Sequence, residues 1–264
     1  MELNGFLNID KPQGPTSHDV CAIVKKITQA SKTSHSGTLD PQVTGVLVMG
    51  LGKAARLLRF LPSDKTYIGA MWLHEDVSEE NLKETIKKHF TGKIIQMPPV
   101  KSRVKRQERE REVYSFDILE KNGQEVLYKV HCEAGTYIRK LVHDLGEKLG
   151  IGAHMTELRR IQAGAFNESD SITLYQLQEI VREGKLNDYI KPLEMVSEYL
   201  PKIEIKSEFS EKIKHGSPIF KEYVKKSDKL EKDKFAAVLS GSKLIEVAKI
   251  ILEERMIAVP ETVI

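Results

Sequence analysis

Residues 43–52, VTGVLVMGLG, make a β-branched run flanked by glycines, the pattern of a strand buried in a core. Just upstream lies the turn His35-Ser36-Gly37-Thr38-Leu39-Asp40-Pro41, whose single carboxylate is Asp40. Pro41 biases Asp40 toward extended backbone, while Gly37 and Gly45 permit geometries and close approaches that a Cβ would block. Asp40 is therefore expected on a turn just before a core strand, not on a helix face. An aspartate before proline is also an ordinary turn initiator, so local pattern by itself does not make Asp40 a catalyst.

The rest of the chain places helices and strands around that run. DKPQGPTS supplies turn chemistry after the apolar Gly5–Ile9 segment, and Thr16 with Asp19 has capping-box spacing. Val20, Val24 and Ile27 predict a helix with one buried face. Lys53 to Leu61 reads as a helix, Lys65 to Leu73 as a strand with Tyr67 and Trp72 on opposite faces, and Ser78 to Phe90 as an amphipathic helix. Strands over Arg111 to Glu120 and Glu125 to Cys132 are joined at Asn122-Gly123, a strong hairpin signal. A later helix carries Ile138, Leu141, Val142, Leu145 and Leu149 on one stripe, with Arg139 off that stripe in its first turn. The helix dipole disfavours a cation there, which suggests an anionic partner; a local surface salt bridge is the plainer alternative. From about Tyr199 short β-prone runs alternate with lysine-rich turns, indicating a small β-rich module.

A chain of 264 residues suits one large domain, or a catalytic domain with a small appendage. Cys21 and Cys132 lie far apart in apolar contexts, which fits a reducing compartment and neither a disulfide framework nor a cysteine-rich zinc site. No apolar run reaches the roughly 18 residues of a membrane span, and the N-terminus lacks a signal-peptide pattern. A soluble, cytoplasmic protein is expected. The net charge of +3 says little about partners, but residues 101–111, KSRVKRQERER, hold six Lys or Arg against two Glu. That segment, and Lys53, Arg56 and Arg59, read as candidate phosphate-binding patches or simply as solvated faces.

No Walker loop, dinucleotide glycine fingerprint, HExxH motif or nucleophile elbow is present. His35 is near Asp40 on what reads as a loop, without metal-ligand or triad spacing. There remain a lone carboxylate, an arginine able to keep it ionised, and a tyrosine able to stack on a planar ring, a set suited to chemistry on a nucleotide base or sugar.

These residues sit in recognisable company. HSGTLDPQVTGVLVMGLGKAARL resembles the signature of the TruB and dyskerin branch of RNA pseudouridine synthases, and Gly5 to Ser17 resembles that family's N-terminal motif. KTYIG resembles the segment with the base-stacking tyrosine, CEAGTYIRKLVHDLG the arginine-bearing one, and GAHMTELRR the following core motif. Residues 5 to about 180 are covered in the family's order. The resemblance implies Asp40 as catalytic aspartate, Tyr67 stacking on the target base, and Arg139 paired with Asp40. It implies Tyr137 and Leu158 lining a uridine pocket and His35 helping to displace the target base. Lys53, Arg56, Arg59, Lys105 and Arg106 are candidates for the RNA backbone. The implied reaction isomerises uridine to pseudouridine with no cofactor and no metal; whether Asp40 attacks C1′, adds to the base or takes a proton stays open.

The implied fold is α+β: a pseudouridine synthase catalytic domain over residues 1–198, with a mixed, mainly antiparallel central sheet and surrounding helices, and a small β-rich PUA-like domain over 199–264. VKRQERER, the short loop after Trp72-Leu73-His74 and the wording CEAGTYIR resemble the dyskerin-like archaeal branch. LPKIEIK, IKHGSPIF and LIEVAKIIL resemble a PUA domain, expected to be reduced because the chain stops at Ile264 where the family usually continues. That branch implies an H/ACA guide RNA presenting rRNA, with tRNA uridine 55 as a further target. Expected companions are a small zinc-ribbon-like protein, a β-barrel protein and a kink-turn-binding protein. A stand-alone TruB-like tRNA enzyme and a non-catalytic RNA-binding scaffold are the alternatives.

Overall fold

The computed structural model describes residues 2–97, 105 and 107–264. In chain order the first part contains β1 (Gly5–Lys11), α1 (Ser17–Thr28), β2 (Thr33–Ser36), β3 (Thr44–Leu51), α2 (Ala54–Leu57), β4 (Lys65–Leu73), α3 (Glu79–His89), β5 (Gly92–Gln96), β6 (Arg109–Asn122), β7 (Glu125–Cys132), α4 (Ile138–Leu149), β8 (Ala153–Ala163), β9 (Phe166–Asn167), α5 (Leu174–Arg182) and α6 (Leu186–Tyr189). The second part contains β10 (Lys202–Ile205), α7 (Ser210–Lys214), β11 (Ile219–Phe220), β12 (Val224–Ser227), β13 (Phe235–Ser240), β14 (Lys243–Ile250) and β15 (Met256–Val263). This is an α+β architecture with a C-terminal β-rich part.

β3 is buried along nearly its whole length and lies inside a nine-stranded sheet ordered β1-β3-β8-β4-β7-β6-β5, with β2 on β3 and β9 on β8. Its ladder with β8 is parallel, and the other ladders of that sheet are antiparallel. The second sheet has six strands ordered β11-β15-β14-β13-β10-β12. One apolar cluster packs α3 and α4 on β4, β6, β7 and β8, and a second packs α1 and α5 on β1 and β3. A third joins the two sheets, bringing Phe6, Val46, Leu57 and Phe60 against Ala237, Leu244 and Val247.

Most boundaries follow the pattern-based reading. Thr16 and Asp19 form the capping box of α1, and β4 runs Lys65–Leu73 with Tyr67 buried and Trp72 exposed. Three local readings are corrected. His35 is not on a loop but in β2, opposite Met49 of β3, because the pairing potential of that edge strand outweighs its polar composition. The Lys53–Leu61 helix is one α-turn, α2, followed by a 3₁₀ turn over Leu58–Phe60. The β6–β7 hairpin has Gly123 and Gln124 as its loop, with Asn122 already paired to Glu125.

Candidate active site

Asp40 sits on the turn between β2 and β3, closed by a hydrogen bond from the Val43 amide to the Asp40 carbonyl (3.0 Å). The N-terminal motif grips this turn from beneath. The Ser17 hydroxyl, at the first residue of α1, accepts from the Leu39 amide (2.8 Å) and donates to the Leu39 carbonyl (3.0 Å). Gly14 donates to the Pro41 carbonyl (2.9 Å), and the fully buried Lys11 ammonium donates to the carbonyls of Pro12 (2.9 Å), Pro41 (3.3 Å) and Val43 (2.9 Å). Burial lowers the Lys11 pKa, and the charge of Asp40 opposes that shift.

Held this way, the Asp40 carboxylate stays open to solvent and forms an ion pair with Arg139, both side chains being more than half exposed. Arg139 stands in the first turn of α4, whose N-cap Tyr137 provides no side-chain cap. Tyr137 is fixed through its backbone instead: buried Gln96 accepts from its amide (2.9 Å) and donates to its carbonyl (3.2 Å). The cation disfavoured by the helix dipole is thus matched by the carboxylate across the cleft.

The apolar wall is continuous with the core. Leu39, Val43, Tyr67, Ile138 and Leu158 belong to one buried cluster, which links the residues flanking Asp40 to the first turn of α4 and to strands β4 and β8. Burial raises the Tyr67 pKa, the Arg160 charge opposes that, and Asp40 is near enough to add to the rise. His35, half-buried, has its pKa lowered by burial and then by Arg160, which favours the neutral ring, and its Nδ1 has no hydrogen-bond partner among the described residues.

His35 lines a cleft of about 590 Å³ together with Ser34, Ser36, Arg56, Arg59 and Glu261. Arg56 and Arg59 are exposed, and each also has a partner on β15. Arg56 donates to the Val263 carbonyl (3.3 Å), and Arg59 pairs with Glu261, donates to Thr262 Oγ1 (3.3 Å) and lies over the Phe60 ring (4.6 Å). Lys53 is half-buried with its amide bound to Asn4 Oδ1 (2.7 Å). Lys105 is exposed; Arg106 lies outside the described residues. Among the described residues no three His, Cys, Asp or Glu side chains gather as a metal site would need.

Lys11, Ser17, Gln96 and Arg160 escaped the reading of the sequence as individual site residues. A lysine or arginine beside apolar residues looks like a surface charge until the fold buries it, and only the resemblance to family motifs marked those segments.

Known proteins resemble this chain over most of its length. A model described as "TruB family pseudouridylate synthase (N terminal domain)" matches residues 25–138, and one described as "tRNA pseudouridylate synthase B C-terminal domain" matches 139–197. The "Probable tRNA pseudouridine synthase B" of Methanothermobacter thermautotrophicus is 44% identical over 223 residues, 81% of this chain and 68% of the relative. The chain belongs to the TruB family. Like-named proteins of Methanopyrus kandleri and Pyrococcus furiosus are each 46% identical over 81% of the chain, which spans 66% of their length. Among solved structures, a chain from the "Crystal Structure of a Cbf5-Nop10-Gar1 Complex" superposes with TM-score 0.87 at 40% identity, covering 98% of this chain and 84% of that one. A chain from the "Structure of H/ACA RNP bound to a substrate RNA containing 2'-deoxyuridine" does so with TM-score 0.86 at 37% identity, covering 98% and 84%. The likeness to these two chains therefore extends through the C-terminal sheet, beyond the residues matched by the two family models.

Proposed function

We propose that this chain is an RNA pseudouridine synthase with Asp40 as its catalytic carboxylate. The observation that carries the reading is the solvent-open Asp40–Arg139 pair on a turn clamped beside the buried Tyr67 and Leu158. A target uridine enters this pocket only after leaving its stack, at a cost of a few kcal/mol that contacts to the RNA offset. Tyr67 then stacks on the base, Tyr137 and Leu158 line the pocket, and His35 helps to displace the nucleotide.

In the reaction the N1–C1′ bond breaks, the uracil turns, and a C5–C1′ bond forms. The proton lost from C5 is balanced by one gained at N1, so the product is an isomer of the substrate. Asp40 serves this by attacking C1′, adding to the base or taking a proton, and each route requires its carboxylate. Arg139, paired with that carboxylate, keeps it aimed. Asp40→Asn is expected to bind RNA normally while pseudouridine formation falls by at least about 100-fold. Near-normal turnover by that variant removes the assignment.

Similarity to a chain solved with Nop10 and Gar1, and to one in an H/ACA particle with substrate RNA, supports a guide-dependent enzyme acting on rRNA. In that reading residues 199–264 form a PUA-like RNA-binding domain, and the companions are a zinc-ribbon-like protein, a β-barrel protein and a kink-turn-binding protein. The names of the curated relatives support the second reading, a stand-alone tRNA enzyme acting at uridine 55. Lys53, Arg56, Arg59, Lys105 and Arg106 are the candidate backbone contacts in either case. Two buried free thiols, Cys21 and Cys132, support a cytoplasmic site of action. Assaying the purified chain on a T-loop transcript and on rRNA fragments, with and without guide RNA and companions, separates the readings. Activity on the transcript alone selects the second, activity only with a guide selects the first, and inactivity throughout selects a non-catalytic scaffold.

A further inference from the structure

Arg160 is the bulkiest of the fully buried side chains, 1% exposed, and among the described residues no carboxylate pairs with it. A guanidinium in that position is expensive unless its donors are matched, and an apolar side chain of similar volume would pack there at lower cost. Its donors are aimed at the active-site framework. Nε donates to the Val46 carbonyl of β3 (2.7 Å) and Nη2 to the Gly37 carbonyl at the start of the Asp40 turn (2.9 Å). On the ladder between β4 and β8, Arg160 stands directly opposite Tyr67, near enough for its charge to act on the phenol. On the other side it is opposite Gly45, so close that a Cβ there would sit 2.1 Å from the Arg160 carbonyl oxygen. Gly37, with φ of +75°, leaves no slack above it: a Cβ there would meet Lys65 Cε at 3.2 Å and Arg160 Nη1 at 3.3 Å.

We propose that Arg160 is a positioning residue for the reaction at Asp40: it ties the start of the Asp40 turn, through Gly37, to β3 at Val46 and to the β8 position opposite Tyr67, so that carboxylate and stacking ring keep one fixed geometry. This rests on the assignment of Asp40 and Tyr67 above, and it separates the two arginines by task. Arg139 is exposed and meets the carboxylate directly, whereas Arg160 never reaches the substrate and acts from behind the pocket wall. Around it stand Lys11 of β1, His35 of β2, and Lys65 and Tyr67 of β4. Cations dominate that set, so Arg160 is not present to neutralise a buried acid.

The test uses the full chain with Arg160→Met and Arg160→Lys, reading single-turnover pseudouridine formation, RNA affinity and amide hydrogen exchange over residues 36–41. Displacement of a clamped catalytic group by about 1 Å costs on the order of 100-fold in rate, so Arg160→Met is expected to lose about that much while RNA affinity stays within about threefold. Arg160→Lys keeps the charge but not the fork of donors, and is expected to fall about 10-fold. Combined with Tyr67→Phe, the Arg160→Met loss is expected to be smaller than the product of the two separate losses, as for adjacent groups that hold one geometry. Exchange at Thr38 to Asp40 is expected to quicken in both Arg160 variants. A folded Arg160→Met protein that turns over within about threefold of the parent, or losses that multiply, overturns the proposal. If Arg160→Met does not fold, Arg160→Lys at the parental rate overturns it. The exchange measurement reads the clamp without catalysis: unchanged protection sinks the inference even if the parent is inactive, whereas an inactive parent with quickened exchange sinks only the functional reading.

Discussion

Ser17 contributes one hydroxyl, and that hydroxyl satisfies both backbone groups of Leu39, the neighbour of Asp40. A polar atom buried at that point would be costly if unmatched, and here it instead fixes the carboxylate's position. Glu246 is the contrary case. It is fully buried on β14, opposite Val238 and Val263, and neither carboxyl oxygen has a hydrogen-bond partner among the described residues. Burial pushes its pKa up to about 8 from 4.5. Between those values the folded chain binds a proton that the unfolded chain does not, so this group's contribution to stability declines as pH rises from about 4.5 to about 8 and is then constant. Glu246→Gln is expected to remove that decline. Denaturant melts of both proteins at pH 5 to 9 should show the variant's advantage growing up to about pH 8; a constant difference means the carboxyl is not neutral in the fold.

At the scale of elements, β8 is the strand that assembles the site. It pairs in parallel with β3, which follows the Asp40 turn, and antiparallel with β4, which carries Tyr67, so Arg160 reaches both from one position. The contact with β3 is possible because Gly45, at φ +100°, has no Cβ to strike the β8 backbone. Gly45→Ala is expected to cost at least about 2 kcal/mol, since backbone cannot yield there and the φ is unfavourable for alanine. A midpoint shift of less than about 0.5 kcal/mol in urea melts would contradict the close approach. The sequence showed the glycine and the β-branched run but not the partner strand, because ladder pairing is decided by residues more than a hundred positions away.

For the whole molecule, the cluster joining the two sheets sets how separable they are. Phe6, Val46, Leu57 and Phe60 of the first part bury against Ala237, Leu244 and Val247 of the second. A chain ended at residue 198 would expose that face, and two aliphatic side chains returned to water already cost about 3 kcal/mol. Such a chain is expected to unfold at lower denaturant than the parent by at least that amount, measured by fluorescence at Trp72. Equal midpoints would show that the first part folds without support from the second.

How much was legible without coordinates follows from the range of the forces involved. Local pattern determined the helices with one apolar face, the capping box at Thr16, the buried strand after Asp40 and the unusual cation at Arg139, since each depends on neighbours within a few residues. Motif order made the TruB family recognisable. Tertiary structure alone decided that His35 lies in a strand, that Arg56 and Arg59 turn toward Val263 and Glu261, and that Arg160 is buried beneath the Asp40 turn. A charged side chain carries no local sign of whether it will meet water, a carboxylate or a carbonyl. That outcome is settled by which strands pair, and pairing is a property of the folded sheet.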